Sequence, residues 1–253
     1  YARSSKPIFL TNLFQVMRVN DFVIIMAGGI GSRFWPMSRQ AWPKQFHDIL
    51  GTGKTLIQMT YERLADYIPA TNILIVTNQR YADLVKEQLP GVTDEQLLLE
   101  PVGRNTAPCI AYASYKIRKA NPNASIMVAA SDHLILNRDK FRNDIEFALD
   151  HVRDVDMIMT LGIRPTRPDT GYGYIQYIED ENNSLKFHKV KTFTEKPQLE
   201  MAKTFLLSGD FLWNSGMFVF SAKTILKAFE TYMPDLAELF EGIQDQLGTS
   251  EEN

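Results

Sequence analysis

Residues 27–46, from Ala27 to Phe46, read AGGIGSRFWPMSRQAWPKQF and follow the apolar run Phe22–Met26. A short buried strand thus runs straight into Gly28, Gly29 and Gly31, then into Arg33 and, further on, Lys44. This is the layout of a triphosphate-binding turn. Glycine adopts positive φ and lets the backbone approach an anion closely. Consecutive backbone N–H groups then form a nest for phosphate oxygens. Ala27 and Ser32 flank the glycines and join the candidate nucleotide-binding set. Arg33 offers a planar fork and Lys44 a point charge, and two cations suit a triphosphate and a departing pyrophosphate.

Other phosphate motifs fit worse. A GxGxxG fingerprint started at Gly29 meets Gly31 and then Phe34 where the third glycine belongs. A Walker A loop ending in Gly53-Lys54-Thr55 would need glycine where Asp48 stands. Gly51-Thr52-Gly53 reads instead as a turn before a helix. A glycine-rich turn without a ligand is the remaining reading. Arg33, Pro36, Pro43 and Lys44 at this spacing argue against it.

Working outward, apolar strands alternate with amphipathic helical runs. The strands are expected at Phe22–Met26, Ile73–Thr77, Gln96–Leu99, Ile126–Ala130 and Met157–Leu161. The helices are expected at Thr55–Tyr67, Tyr81–Gln88, Ala107–Ala120, Lys140–Val152 and Ser221–Tyr232. Such alternation predicts an α/β fold: a Rossmann-like, mixed but mostly parallel sheet flanked by helices. After Leu161 the texture changes. Tyr174–Glu179 and Lys186–Thr194, joined by a turn at Asp180-Glu181-Asn182-Asn183, read as an antiparallel excursion, and Met217–Phe220 as a returning buried strand. Ligands of such sheets sit at the carboxyl ends of the strands. Gly28–Gly31, Glu100–Asn105 and Ser131–His133 each follow an expected strand.

The 253 residues are 45% hydrophobic and carry a net charge of −3, which suits one large globular domain and gives no basic field for nucleic acid. No apolar run is long enough for a membrane span. The single Cys109 cannot close an intramolecular disulfide, which fits a reducing cytoplasm, and it reads as a small buried apolar residue. His47, His151 and His188 cluster with neither cysteine nor carboxylate, so no zinc site is expected. Asp132 follows a strand end, where a hard carboxylate suits Mg²⁺ but equally suits capping the next helix or turn. His133 either orients a neighbour or satisfies a buried hydrogen bond. Residues 1–16 have no clear period and precede Met17, a natural start, so they are expected to be a non-native or disordered leader to a domain spanning 17–253.

Further motifs complete a pattern: Glu100-Pro101, then Gly103-Arg104-Asn105-Thr106-Ala107-Pro108; Ser131-Asp132-His133; Gly171-Tyr172-Gly173-Tyr174-Ile175; Glu195-Lys196-Pro197; and Asn214-Ser215-Gly216-Met217-Phe218. With the Trp-Pro and Pro-Lys-Gln-Phe of the first stretch, the chain resembles the sugar-1-phosphate nucleotidyltransferases over about residues 20–240, and among them the mannose-1-phosphate guanylyltransferases.

The resemblance implies transfer of GMP from GTP to mannose 1-phosphate with Mg²⁺, giving GDP-mannose and pyrophosphate. It makes Asp132 the metal ligand and sets Arg33 and Lys44 along the β- and γ-phosphates. Glu100, Arg104, Asn105, Thr106 and Ser131 would join the glycine turn around the nucleotide, although Thr106 can also cap the helix after it. Gly171, Tyr172, Gly173, Glu195, Lys196 and Asn214 would hold the sugar phosphate. Lys196 follows Glu195 in a strand and points to the opposite face unless the strand ends there, an end that Pro197 favours. The aromatics Tyr172, Phe193, Phe211 and Trp213 read as core packing rather than a sugar platform.

One departure stands out. The family's second metal aspartate lies in a Ser-x-Asp-Tyr segment downstream of Asn-Ser-Gly, and none precedes Asn253. The domain is therefore expected to be truncated, with homo-oligomer assembly belonging to a missing C-terminal region. Transfer with another nucleotide and sugar phosphate, or a non-catalytic nucleotide-binding fragment, are the alternatives.

Overall fold

The run Phe22–Met26 lies within β1 (Asp21–Met26), where Val23, Ile24 and Ile25 are wholly buried. The computed structural model describes residues 18–103, 105–179, 187–249 and 252, with Arg33 described by its backbone alone. The expected leader, Arg104, the start of the Lys186–Thr194 strand and the turn Asp180-Glu181-Asn182-Asn183 lie outside the described residues. The chain divides into two compact units, one reaching Met159 and resuming at Val219, the other Thr160–Phe218.

In the first unit β1 is followed by α1 (Leu56–Ala65), β2 (Ile73–Asn78), α2 (Ala82–Gln88), β3 (Leu97–Glu100), α3 (Thr106–Ala120), β4 (Ser125–Ala130) and α4 (Arg138–Asp154). The strands stand in the order β3-β2-β1-β4, each neighbouring pair parallel. Every residue of β2 is buried, as expected of a strand covered on both faces. β1 and β4 pair from Asp21↔Ser125 to Met26↔Ala130, so the two strands finish level. Chain order reverses between them, and at such a switch point the loops leaving the strands part and open a crevice. The glycine turn leaves β1 there, and Ser131-Asp132 leaves β4. Thr55 and Gln58 form a capping box at the start of α1, which sets where that helix begins.

The second unit holds β5 (Met159–Ile163), β6 (Tyr174–Ile178), β7 (Lys189–Thr194), α5 (Leu199–Ser208) and most of β8 (Phe211–Ser221). β6 lies antiparallel to both β7 and β8, so pairing in this unit is antiparallel where the first unit's is parallel. Tyr174, Ala202, Phe211 and Trp213 form its buried cluster, and Phe205 of α5 stacks on Phe211 at 3.9 Å. Gly209, at φ 81°, ends α5 in the left-handed conformation that favours glycine.

The chain then returns to the first unit with α6 (Ala222–Tyr232) and α7 (Pro234–Gly242). Ser221 caps α6 by accepting from the Thr224 N–H. Phe240 of α7 stacks on Tyr115 of α3 at 5.4 Å. Among the described residues no helix is long and apolar enough to cross a membrane.

Several expected boundaries shift. Gln96 is not a strand residue: it closes a short 3₁₀ turn, and its side-chain amide donates to the carbonyls of Ala70 and Ile73. β5 starts at Met159 rather than Met157, whose N–H is taken by a local turn to Val155 O. Two helices, α5 and α7, were not expected. α5 buries only Ala202, leaving a thin apolar stripe, and α7 opens on Pro234, a residue that reads as a breaker yet is well suited to a first helical turn.

Gly162 in β5 packs closely against Leu212 of β8. A Cβ there would lie 2.9 Å from Leu212 Cβ and closer still to its Cδ1. Gly162→Ala should therefore lower the denaturant midpoint, at a cost of about 1–3 kcal/mol from overpacking. Adding Leu212→Ala should recover part of the loss; additive losses would contradict the contact.

Candidate active site

The glycine turn is held from behind by its carbonyls. Ala27 O accepts from Gln45 Nε2 at 2.8 Å and from Thr77 Oγ1 at 2.9 Å. Gln45 Nε2 also donates to Gly29 O at 3.0 Å, and Ser38 Oγ to Ile30 O at 2.6 Å. The N–H groups of Gly28, Gly29, Ile30, Gly31 and Ser32 have no acceptor among the described residues. Carbonyls tied back and successive N–H groups left free are what an anion nest requires. Gly31 takes φ 60°, and a Cβ on it would lie 2.7 Å from Lys44 Cβ and 2.9 Å from Ser38 Oγ. Glycine is thus required there both by backbone conformation and by the approach of Lys44. Gln45 is only 3% exposed. Neither it nor Ser38 was among the expected site residues, because what they bind is main chain that only the fold brings near. The one signal was the Pro-Lys-Gln-Phe run itself, with Pro43 leading into a 3₁₀ turn over Lys44–Phe46.

Lys44 reaches across to the end of β4. Its Nζ lies 2.9 Å from Asp132 Oδ2 and 4.4 Å from the centre of the Phe34 ring. Asp132 does not cap α4: that position belongs to Asn137, which accepts from the Lys140 N–H. Ser131 N–H donates to Met26 O at 3.1 Å, which keeps the two strand exits together. His133 is buried enough that its imidazole is held below the ordinary range; Lys44 and Arg63 push the same way and Asp132 opposes them. Arg33 has its backbone in the 3₁₀ turn Ser32–Phe34. No group of three or more His, Cys, Asp or Glu that could hold a metal occurs among the described residues. The donor set fits an ion bound by one carboxylate, Asp132, with phosphate oxygens making up the remainder, as Mg²⁺ commonly is.

Glu100 ends β3, and its carboxylate has no hydrogen-bond partner among the described residues. Burial raises its pKa above the usual carboxylate value. A Cβ on Gly28 would sit 3.5 Å from Glu100 Oε2, so this carboxylate lies beside the glycine turn. The capping role open to Thr106 falls to Asn105 by position: Thr106 is the first residue of α3, and Asn105 precedes it at φ 70°, ψ −168°, without a side-chain cap bond. That backbone conformation is nearly confined to glycine and costs on the order of 1–3 kcal/mol. Cys109, in the first turn of α3, is buried, and burial pushes its thiol up, away from reactivity.

The second unit gathers the remaining expected residues. β7 ends at Thr194, and Lys196 takes φ 43°, which turns its side chain back so that Nζ lies 2.7 Å from Glu195 Oε1. Glu195 and Lys196 therefore act on one side, as an early strand end allows. A Cβ on Gly173 would lie 2.6 Å from Glu195 Oε2, so the main chain does pass close, and what it passes is this carboxylate. Gly171 N–H is tied to Asp169 Oδ1. Asn214 N–H donates to Gly173 O at 2.7 Å, while its Oδ1 accepts from Thr160 and Gly216, which leaves the Nδ2 donor for a ligand. The aromatic expectation needs correcting. Phe211 and Trp213 are core, but Tyr172 and Phe193 are 40% and 47% exposed, Tyr172 standing over Trp213 at 5.0 Å.

Gly31→Ala should destabilise the fold by about 1–3 kcal/mol, from a left-handed backbone and from contact with Lys44. A denaturation curve unchanged from wild type would contradict the close approach. Glu100→Gln tests the half-buried carboxylate through pH. The folded pKa is raised, so the wild type's standing relative to the Gln variant is best below the unfolded value of about 4.3 and worsens as pH rises through the folded value. The variant's denaturant midpoint should therefore gain on the wild type as pH rises above about 4.3. A constant difference would mean that burial does not penalise the charge.

The chain matches the nucleotidyl transferase family over residues 22–250. It is 39% identical over 218 residues to a mannose-1-phosphate guanylyltransferase of Klebsiella pneumoniae, an alignment covering 85% of this chain and 46% of that protein. The chain thus spans about half the length of the curated relatives it matches. Among solved structures, one described as mannose-1-phosphate geranyltransferase from Thermus thermophilus superposes with a TM-score of 0.81 at 31% identity, over 92% of this chain and 66% of that one. A mannose-6-phosphate isomerase from Helicobacter pylori follows with a TM-score of 0.71 at 30% identity, over 88% and 80%. The match takes in both strand exits, the glycine turn and the Lys44–Asp132 pair, and on it the chain belongs to the nucleotidyl transferase family.

Proposed function

We propose that this chain transfers GMP from GTP to mannose 1-phosphate with Mg²⁺, releasing pyrophosphate. The observation that carries the proposal is the row of acceptor-free N–H groups at residues 28–32, set beside a lysine and a carboxylate at the level ends of β1 and β4. The N–H row would cradle phosphate oxygens, and Lys44 would place its charge on them. Arg33 would add a second cation. Asp132 would hold Mg²⁺ through its carboxylate, and the bound ion would supply further neutralisation of phosphate charge.

Base choice would rest on Glu100. An unpartnered carboxylate accepts two neighbouring donors, which guanine presents at N1–H and its 2-amino group and adenine does not. A site built to receive those donors leaves its own buried group unpaired with the wrong base, and that is how hydrogen bonds discriminate. Asn105, Thr106, Arg104 and Ser131 would complete the nucleoside contacts. In the second unit Lys196 would meet the phosphate of the sugar. Glu195 would accept its hydroxyls, Asn214 would donate from Nδ2, and the Gly171-Tyr172-Gly173 segment would offer backbone. A phosphate oxygen of the sugar phosphate then attacks the α-phosphorus of GTP in line. The new P–O bond forms as the bond to the bridging oxygen breaks, and pyrophosphate leaves without a protein nucleophile. The protein's share is position and electrostatics.

Pyrophosphate release measured with GTP, ATP, UTP and dTTP, each against mannose 1-phosphate and glucose 1-phosphate, tests this. Release is expected for GTP with mannose 1-phosphate. Glu100→Gln should lower kcat/KM for GTP by roughly ten- to a hundredfold, the loss of a charged hydrogen bond, and leave ATP unaffected. Release with a different pair, or none from a folded chain, would overturn the assignment.

A further inference from the structure

Arg63 of α1 is a buried cation without a counter-charge among the described residues. It is 5% exposed, its Nε has no hydrogen-bond partner among the described residues, and the ionisable groups it interacts with are Tyr67, Arg138 and His133 rather than any carboxylate. Desolvation draws its pKa down to about 10, which still leaves it charged at neutral pH. Holding such a charge is costly, and the Phe141 ring, whose centre lies 5.5 Å from the guanidinium carbon, offsets part of that cost. The guanidinium also makes a hydrogen bond. Nη2 donates to Thr60 Oγ1 at 3.2 Å, and Thr60 Oγ1 donates to Ser131 O at 3.2 Å.

A guanidinium only donates, and a hydroxyl has one proton. Because Thr60 accepts from Arg63, its proton goes to Ser131. Threonine inside a helix commonly returns its hydroxyl to the carbonyl one turn back. Here the hydroxyl is drawn off the helix to a residue 71 positions away. Ser131 is then gripped at both ends, its N–H by Met26 O of β1 and its carbonyl by α1. The next residue is Asp132, facing Lys44.

We propose that Arg63 and Thr60 form a buried relay that fixes the main chain at Ser131 and so aims Asp132; both are positioning residues. The consequence for metal binding rests on the function proposed above, whereas the hold on Ser131 does not. The substitutions Thr60→Val, Thr60→Ser, Arg63→Met and Thr60→Val with Arg63→Met separate hydrogen bonding from packing. Valine keeps the shape and loses the hydroxyl; serine does the reverse.

Two readouts serve: amide hydrogen exchange at Ser131–His133 in the free chain, and Mn²⁺ affinity in the presence of GTP. Thr60→Ser should stay near wild type in both. Thr60→Val should speed exchange and weaken Mn²⁺ by roughly fivefold, the worth of one buried hydrogen bond. Arg63→Met should match Thr60→Val, and the double variant should add nothing. A valine variant like wild type beside an impaired serine variant, or fully additive single effects, would overturn the relay. Exchange that follows the hydroxyl in a chain binding neither Mn²⁺ nor GTP would uphold the hold on Ser131 and defeat the functional reading instead.

Discussion

The contact between Lys44 Nζ and Asp132 Oδ2, at 2.9 Å, joins positions 88 residues apart and organises the first unit's site. As a stabiliser it is worth little, since a partly exposed pair contributes about 0–1 kcal/mol. Its importance is in what must already be true for it to form. β1 and β4 must pair in register and end level, so that both exits open at the same edge. The turn after β1 must be compact enough for Lys44 to lie against Gly31, which requires glycine at φ 60°. Gln45 must turn the carbonyls of Ala27 and Gly29 inward, which leaves the N–H groups facing the other way. Charge of both signs and a row of free donors then stand together where the strand order reverses.

Backbone strain is distributed in keeping with that picture. Among the described residues the non-glycine positions with positive φ are Asn105, just before α3, and Lys196, beside Glu195. Strained conformations persist where surrounding structure over-determines them, and they gather at ligand sites. At Lys196 the consequence is visible. A regular strand would send Glu195 and Lys196 to opposite faces, whereas the left-handed turn brings carboxylate and ammonium within 2.7 Å.

Much of this was legible in the sequence, and the limits have physical causes. The alternation of buried strands and amphipathic helices, and the glycine turn after the first strand, follow from local pattern. Gly31, Lys44 and the strand-end Asp132 stand out in the sequence by residue type, and the fold brings them together. Gln45, Ser38, Thr60 and Arg63 were not legible, because each acts on a main-chain carbonyl or a neighbour that only tertiary structure brings near. An arginine in an amphipathic helix reads as a solvated residue, and nothing local reveals that Arg63 is buried. α5 was missed for its thin apolar stripe and α7 for its leading proline. Thr106 looked like a cap because local pattern places a helix end only within a residue or two. Tyr172 and Phe193 looked like core because aromatic content alone does not tell which face of a strand is covered.

The central claim is that residues 28–32 form the phosphate nest. It is tested most directly by following the amide resonances of this chain while titrating GTP and, separately, inorganic tripolyphosphate. Both ligands should shift the amides of residues 28–32, and GTP alone should also shift those of Glu100 to Thr106. Shifts from either ligand that bypass residues 28–32, or no shift at saturating concentration, would contradict it.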